Sequence, residues 1–186
     1  MILNRLSLLL AERQLKITNV ANATKISRTT LTALMKNESK MIQLETINSL
    51  CIFLEIDPND FFDFIPYNFS YHFDHDDELL YDPKEGPITY KANGFVNVLD
   101  PVNGNFDFEY TGEISDLGGA ISVYLEPVNS DIENVAQSFF NGISKSFVTQ
   151  IEKDFSEYIL NIITEEFGSP EYACDVKINL TNMKNK

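Results

Sequence analysis

Apolar residues in the first 66 positions recur every three to four residues, which is the spacing that places them on one face of an α-helix. Later in the chain they alternate with polar residues, which is typical of strands. The first pattern predicts a helical N-terminal domain over residues 1–66. The first helix of this domain would bury Ile2, Leu3, Leu6, Leu9 and Leu10. The fourth helix would bury Ile47, Leu50, Cys51 and Leu54. A short fifth helix, starting near Pro58, would bury Phe61, Phe62 and Ile65.

Two short helical patterns meet at a tight turn in residues 17–35. Thr18 is expected to cap the first of these helices, because a hydroxyl can accept a hydrogen bond from an unpaired backbone N–H group. Ser27 is expected to cap the second helix in the same way. Lys25 and Ile26 occupy the turn. The inward-facing residues would be Val20, Ala21, Ile26, Leu31, Leu34 and Met35.

The outward face of the second helix carries small hydroxyl side chains and one arginine. An arginine can donate two hydrogen bonds to a guanine, and a threonine offers a hydroxyl to a base or phosphate and a methyl to thymine. This chemistry suits a helix that enters the major groove of DNA. The candidate DNA-binding residues are Thr18, Asn19, Ser27, Arg28, Thr29, Thr30, Thr32, Lys36 and Lys40.

These residues resemble the Cro/C1-type (XRE) helix-turn-helix family, whose members often read Ile-Thr-x-Leu-Ala-x-x-Thr-Gly-Ile-Ser-Arg-Thr-Thr-Leu. Val20, Ala21 and the run from Ile26 to Leu31 match that pattern with the same spacing. Lys25 departs from it, since the family usually has glycine there, and a left-handed lysine costs about 1 kcal/mol. The resemblance covers about the first 66 residues and implies a five-helix DNA-binding domain. The alternative is a helical bundle with a chance Ser-Arg-Thr-Thr helix start.

The pattern in the second half of the chain predicts strands followed by helices. An entry strand is predicted over residues 67–73 and an exposed acidic connection over residues 74–87. Asn93 and Gly94 form a strong hairpin signal, because both tolerate positive φ. Strands are expected over 88–92, 95–99, 105–111, 120–126 and 172–180. Glycines 118 and 119 precede the fourth of these strands, and Pro127 follows it. Helices are expected over 131–143 and 146–167, and Gly168 and Pro170 end the second helix.

The predicted fold class is α+β, with a C-terminal antiparallel sheet covered on one face by two helices. Both helices have an apolar stripe that would face the sheet. The first stripe contains Ile132, Val135, Ala136, Phe139, Phe140 and Ile143, and the second contains Phe147, Ile151, Phe155, Tyr158, Ile159, Ile162 and Ile163. No family is identified for this half.

Charge separates the two halves of the chain, which carries a net charge of −14 and has a pI of about 4.4. Residues 1–43 hold seven basic and two acidic side chains, residues 44–66 hold five acids and no base, and the remainder holds 21 acids and seven lysines. The DNA-binding surface is therefore expected at the basic end of the first domain. The acids of the second domain form either solvated surface or a site for a basic partner, for which the candidates are Asp107, Glu109, Glu152, Glu157 and Glu165.

Other site chemistry is weak in this sequence. His72 and His75 stand among Asp74, Asp76 and Asp77, which are possible metal ligands, but no second cluster completes a site and a solvated loop is favoured. No catalytic set or phosphate-binding loop is found, so we expect neither an enzyme nor a cofactor. The two cysteines are far apart and predict reduced thiols in a cytoplasmic protein, and no apolar stretch is long enough to span a membrane.

Two functions fit these observations. The first is a sequence-specific transcriptional regulator, such as a repressor or autoregulator of a phage or mobile element. It would bind a double-stranded DNA operator as a homodimer, because this type of protein reads two half-sites about one helical turn apart. The alternative is an anti-CRISPR-type inhibitor, whose acidic C-terminal domain blocks a Cas nuclease while the N-terminal domain regulates its own promoter.

Overall fold

The computed structural model describes residues 1–79, 88–116, 120–168 and 173–180. The chain divides into two compact units, Met1–Ile65 and Pro66–Lys186, called here the N-terminal and C-terminal units. The hydrophobic core of the N-terminal unit is built from its own helices. That of the C-terminal unit lies between a sheet and two helices.

The N-terminal unit is a group of helices closed by a two-stranded ribbon. Its elements are β1 (Ile2–Asn4), α1 (Leu6–Glu12), α2 (Ile17–Thr24), α3 (Arg28–Met35), α4 (Leu44–Leu54), α5 (Pro58–Phe61) and β2 (Phe62–Phe64). β1 and β2 pair antiparallel, with Leu3 opposite Asp63. All five helices contribute to one core, which contains Leu6, Leu9, Leu10, Val20, Leu31, Leu34, Ile47, Leu50, Cys51, Leu54 and Phe61.

The predicted first helix over Ile2 is wrong at its beginning. Ile2 is exposed and Leu3 is buried, an alternation that fits a strand better than a helix. The Asn4 side chain accepts a hydrogen bond from the backbone N–H of Leu6 (3.1 Å), where α1 begins. Phe62, expected in the fifth helix, lies instead in β2 and is half-buried, because the chain turns there to pair with β1.

The C-terminal unit is a mixed α+β fold around a five-stranded sheet. Its elements are β3 (Asn68–Leu79), β4 (Ile88–Leu99), β5 (Phe106–Asp116), β6 (Ala120–Pro127), α6 (Ser130–Asn141), α7 (Lys145–Phe167) and β7 (Ala173–Ile178), and the strand order is β3-β4-β5-β6-β7. Phe108 of the sheet contacts Phe139 and Phe140 of α6, and Tyr71 stacks on Phe155 of α7. Both helices therefore pack on the same face of the sheet.

The prediction of a wholly antiparallel sheet is wrong at its last pair. Strands β3 to β6 are antiparallel, but β7 runs parallel to β6, with Val123 opposite Val176. Parallel neighbours need a crossover that returns the chain to the same end of the sheet. Helices α6 and α7 supply that crossover, because both lie between β6 and β7 in the sequence.

The acidic segment after residue 73 is also corrected, since residues 74–79 belong to β3 and not to a loop. Asp74 lies opposite Asn93, and His75 lies opposite Ala92. Asp74 is exposed, so extending the strand does not bury its charge. The remainder of the predicted connection, residues 80–87, lies outside the described residues. So do the predicted glycine turn at 118–119, Pro170 and the start of the last predicted strand at 172.

The predicted hairpin at Asn93 and Gly94 is wrong, because β4 passes through both residues without a break. Gly94 lies opposite Phe73 on one side and Tyr110 on the other. A β-carbon at Gly94 would lie 2.8 Å from the Phe155 ring and 2.9 Å from a Leu125 methyl group. Glycine therefore serves here to let α7 approach the sheet closely and not to form a turn.

Helix α6 follows its predicted stripe except at Val135, which is 59% exposed. Ala136 and Phe140 are buried, and Val135 lies beside them at the edge of the stripe. The helix begins at Ser130, because the Asn129 side chain accepts hydrogen bonds from the backbone N–H groups of residues 131 and 132 (3.0 Å each).

Replacement of Gly112 is expected to disrupt the C-terminal unit selectively. A β-carbon at Gly112 would lie 1.8 Å from the backbone oxygen of Tyr124 on the neighbouring strand, where only backbone movement could relieve the clash. We expect Gly112→Ala to lower the free energy of unfolding of this unit by about 3 kcal/mol or more. All eight tyrosines lie beyond residue 66 and the chain has no tryptophan, so tyrosine fluorescence in urea measures this unit alone.

The control for that variant is Ser115→Ala, on the same strand, which should shift the tyrosine transition little. An unchanged transition in Gly112→Ala would contradict the close approach of β5 and β6.

Candidate nucleic-acid interface

The turn between α2 and α3 is held by hydrogen bonds of its own residues. Thr24 donates its hydroxyl to the Val20 carbonyl (2.8 Å), and the same oxygen accepts from the Ile26 N–H group (3.3 Å). Lys25 adopts the left-handed conformation (φ 62°) that its place in the turn predicts. Ile26 is half-buried and packs against the helical core. The angle at which α3 leaves the turn is thus defined locally.

The two predicted helix caps have different outcomes. Ser27 caps α3 as predicted, because its hydroxyl oxygen accepts a hydrogen bond from the Thr30 N–H group (3.0 Å). The Ser27 and Thr30 hydroxyls also lie within hydrogen-bond distance of each other (2.8 Å). Thr18 is not a cap, since the extended residue before α2 is Lys16 and Thr18 lies inside the first turn.

The exposed face of α3 brings three of the candidate residues into one stripe. Arg28, Thr32 and Lys36 are exposed and lie four residues apart, so they follow one another along the helix. Thr29, beside Arg28, is exposed as well. Leu31 and Leu34 are buried and fix the opposite side of α3 to the core.

The cations of this surface are available for a ligand. Among the described residues, the Arg28 guanidinium group has no hydrogen-bond or ion-pair partner. Lys36 lies 3.9 Å from Glu38, but both side chains are about half exposed, and such ion pairs contribute at most about 1 kcal/mol. Lys40, in the segment that follows, is exposed. A DNA phosphate could therefore displace Glu38 from Lys36, or bind Arg28 or Lys40, at little cost in free energy.

A pair of asparagines holds the other end of α3, and sequence reasoning missed it. The Asn37 side-chain oxygen accepts hydrogen bonds from the backbone N–H (2.8 Å) and the side-chain amide (2.6 Å) of Asn4. The same amide donates to the Leu34 carbonyl at the end of α3 (2.8 Å). Asn37 is left-handed (φ 56°), a conformation that asparagine tolerates after a helix end. An asparagine just after the end of a predicted helix was the signal that the sequence offered for this contact.

Residues 5–67 match the family model of the Cro/C1-type HTH DNA-binding domain. The helix-turn-helix geometry and this match together define the N-terminal unit as a DNA-binding domain of the kind found in transcription regulators. The match confirms the family resemblance that the sequence of this segment predicts. No family model matches the C-terminal part. No curated protein matches the chain. No solved structure matches it either.

The five acidic candidates of the C-terminal unit do not form one surface. Asp107 and Glu109 lie on the face of the sheet opposite α6 and α7, because Phe108 between them points at α6. Glu152, Glu157 and Glu165 lie on α7, which covers the other face. Burial raises the pKa of the Glu152 carboxyl, because this side chain is only partly exposed.

The two histidines of β3 also point in opposite directions, because they are three positions apart on a strand. His72 lies 3.2 Å from Asp74, while His75 lies 2.7 Å from Glu166 of α7. They cannot hold one ion together. Within the described ranges, no group of three or more potential metal ligands is found. No helix among those residues is long and apolar enough to cross a membrane.

Variants of Asn37 are expected to separate hydrogen bonding from backbone strain at the end of α3. Asn37→Ala removes the hydrogen bonds to Asn4 and leaves an alanine in a left-handed conformation, so we expect a loss of about 2–3 kcal/mol in the stability of the N-terminal unit. Asn37→Gly removes only the hydrogen bonds and should lose about 1 kcal/mol less. Far-ultraviolet circular dichroism in urea follows the helices of both units, because α6 and α7 also contribute, so the transition of the N-terminal unit is taken as the part that does not coincide with the tyrosine transition.

The tyrosine transition of the C-terminal unit is the internal control and should stay in place for both variants. Equal losses for alanine and glycine would show that strain at position 37 contributes nothing.

Proposed function

We propose that this protein is a sequence-specific DNA-binding transcription regulator that recognises its operator through α3. The observation that carries the proposal is the exposed stripe of Arg28, Thr32 and Lys36, on a helix held at both ends and lying within the matched family domain. The helix carries Arg28 and no acid, and Lys36, its C-cap residue, adds a second exposed cation directly after it.

In this proposal the N-terminal turn of α3 enters the major groove. Arg28 donates two hydrogen bonds to the O6 and N7 atoms of a guanine, and Thr29 and Thr32 contact neighbouring bases. Lys36 and Lys40 bind phosphates, which position the domain without reading sequence. Thr18 and Asn19, in the first turn of α2, contact the DNA backbone.

We further propose that the regulator acts as a dimer assembled through its C-terminal unit. A single α3 contacts few base pairs, and two copies on adjacent half-sites multiply that selectivity. Support comes from β3, a 12-residue strand at the edge of the sheet, because an edge strand has unpaired backbone groups that a second copy can bind. A dimer bound across a promoter would exclude polymerase, which makes repression or autoregulation of a phage or mobile-element promoter the form we propose.

The alternative of a Cas nuclease inhibitor gains no support from a particular site. The acidic candidates are distributed over both sides of the C-terminal unit, and nothing in their arrangement distinguishes a nuclease from another basic protein. We therefore propose the regulator alone.

Substitution of Arg28 is expected to relax sequence discrimination. An operator is first selected from a pool of random duplexes with the full chain, and binding is then measured by fluorescence anisotropy at several salt concentrations. Arg28→Ala should weaken binding to the selected duplex by about 1–3 kcal/mol and binding to random duplex much less. Lys40→Ala is the matched control, and should weaken both alike and reduce the salt slope by about 1. Equal losses for Arg28→Ala on both duplexes would make Arg28 a phosphate contact.

A fragment of residues 1–66 is expected to fold alone and to bind the selected operator more weakly than the full chain. It retains its complete helical core, and the loss in affinity follows from removal of the proposed dimer-forming unit. Circular dichroism measures folding, and sedimentation velocity compares the fragment, residues 67–186 and the full chain. An unfolded fragment contradicts independent folding, and a monomeric full chain contradicts the dimer.

A further inference from the structure

A groove of about 820 Å³ opens on the N-terminal unit between α4 and α5. Apolar side chains form most of its surface, and they come from α4, from the segments on either side of it and from β2. They include Ile42, Leu44, Ile47, Ile52, Ile56 and Phe62. Its volume is within the range of about 300–1,000 Å³ that is typical of ligand-binding clefts.

Helix α4 has more apolar surface than the core of this unit uses. One face buries Ile47, Leu50 and Leu54. A second stripe contains Leu44 and Ile52, which are 82% and 69% exposed and line the groove. A helix that is apolar on two faces normally packs against a second partner. Packing in the helix-turn-helix core therefore does not account for the exposed stripe of Leu44 and Ile52.

The charged residues that line the groove are all acidic. They are Glu55, Asp57 and Asp60, and no lysine or arginine joins them in the lining. Within the described part of the chain, none of the three carboxylates forms an ion pair. Arg5 donates to the Asp60 backbone carbonyl (3.3 Å), but its ion pair is with Asp63 (3.9 Å), which does not line the groove. The groove thus combines an apolar floor with an uncompensated negative rim.

We propose that this groove binds an amphipathic helix of a partner protein, with leucine-like anchors on one face and lysine or arginine residues beside them. The apolar anchors fill the space between Leu44 and Ile52, and the basic residues meet the carboxylate rim. An amphipathic helix laid in an apolar groove is a recurrent mode of recognition, and opposite charges select partner and orientation.

The charge of the rim argues against a second copy as the occupant. In a symmetric pair the same patch of both copies forms the interface, so it would bring six carboxylates together with no cation from the groove lining. Like charges in such an interface are costly. None of the groove residues belongs to the candidate DNA-binding set, so the proposed docking does not use the side chains that bind DNA.

The test uses a fluorescein-labelled peptide of leucine and lysine, about 18 residues long, with leucines at helical spacing. Its binding to the full chain is measured by anisotropy near physiological salt, about 0.15 M. The double variant Leu44→Ser/Ile52→Ser should raise the Kd at least about tenfold. The control Val102→Ser/Val135→Ser, which removes two exposed apolar side chains of the C-terminal unit, should leave the Kd within about twofold.

Charge is tested with a second pair of variants. Glu55→Gln/Asp60→Asn should raise the Kd and flatten its dependence on salt, whereas Glu113→Gln/Asp131→Asn, which removes two exposed acids of the C-terminal unit, should do neither. A peptide with glutamate in place of lysine should not bind. Circular dichroism confirms that each variant is folded, and no DNA is present, so the outcome is independent of the proposed regulatory function.

Three results would overturn the proposal. The first is equal loss of peptide binding in the groove and control variants, which would mean non-specific attraction to an acidic protein. The second is binding that is unaffected by Leu44→Ser/Ile52→Ser. The third is a dimer, seen by sedimentation velocity without peptide, that this double variant converts to a monomer, because a second copy would then occupy the groove.

Discussion

The direction of α3 depends on hydrogen bonds at its two ends, and the candidate DNA-binding surface depends on that direction. At the start, Ser27 caps the helix and Thr24 braces the turn before it. At the finish, Asn4 and Asn37 bind each other and the Leu34 carbonyl. Apolar packing of Leu31 and Leu34 sets how deep α3 lies in the core, but packing alone is non-directional. The side chains that we propose to contact base edges need both constraints.

The C-terminal unit depends on a different constraint, which is close approach between backbone and neighbouring groups. Gly94 leaves room for the Phe155 ring above the centre of the sheet, and Gly112 lets β5 and β6 come together. The α7 stripe that contains Phe155 can then lie directly on the strands. Of the five candidate acids of this unit, Asp107 and Glu109 lie on the free face of the sheet, and Glu152, Glu157 and Glu165 lie on α7. The unit therefore presents negative charge in more than one direction.

Sequence reasoning succeeded where the determinants are local and failed where distant segments decide. The Ser27 cap, the left-handed Lys25 and the family of the first domain all follow from neighbouring residues. The bond between Asn4 and Asn37 joins residues 33 positions apart, so no periodic pattern reveals it. At Gly94 the local signal for a turn was overridden by strands pairing on both sides. The roles of individual side chains at DNA depend on an operator that the sequence does not contain.

The parallel pairing of β6 with β7 has a consequence for biosynthesis. Each antiparallel strand finds its neighbour soon after it is made, but β6 must wait until α6, α7 and β7 have all left the ribosome. During that interval β6 is the edge of an incomplete sheet, and its backbone groups are free to pair with other chains. Ordering a partner that lies so far along the chain is slow. The nascent protein therefore exposes an inner strand of its sheet to other chains until β7 has paired.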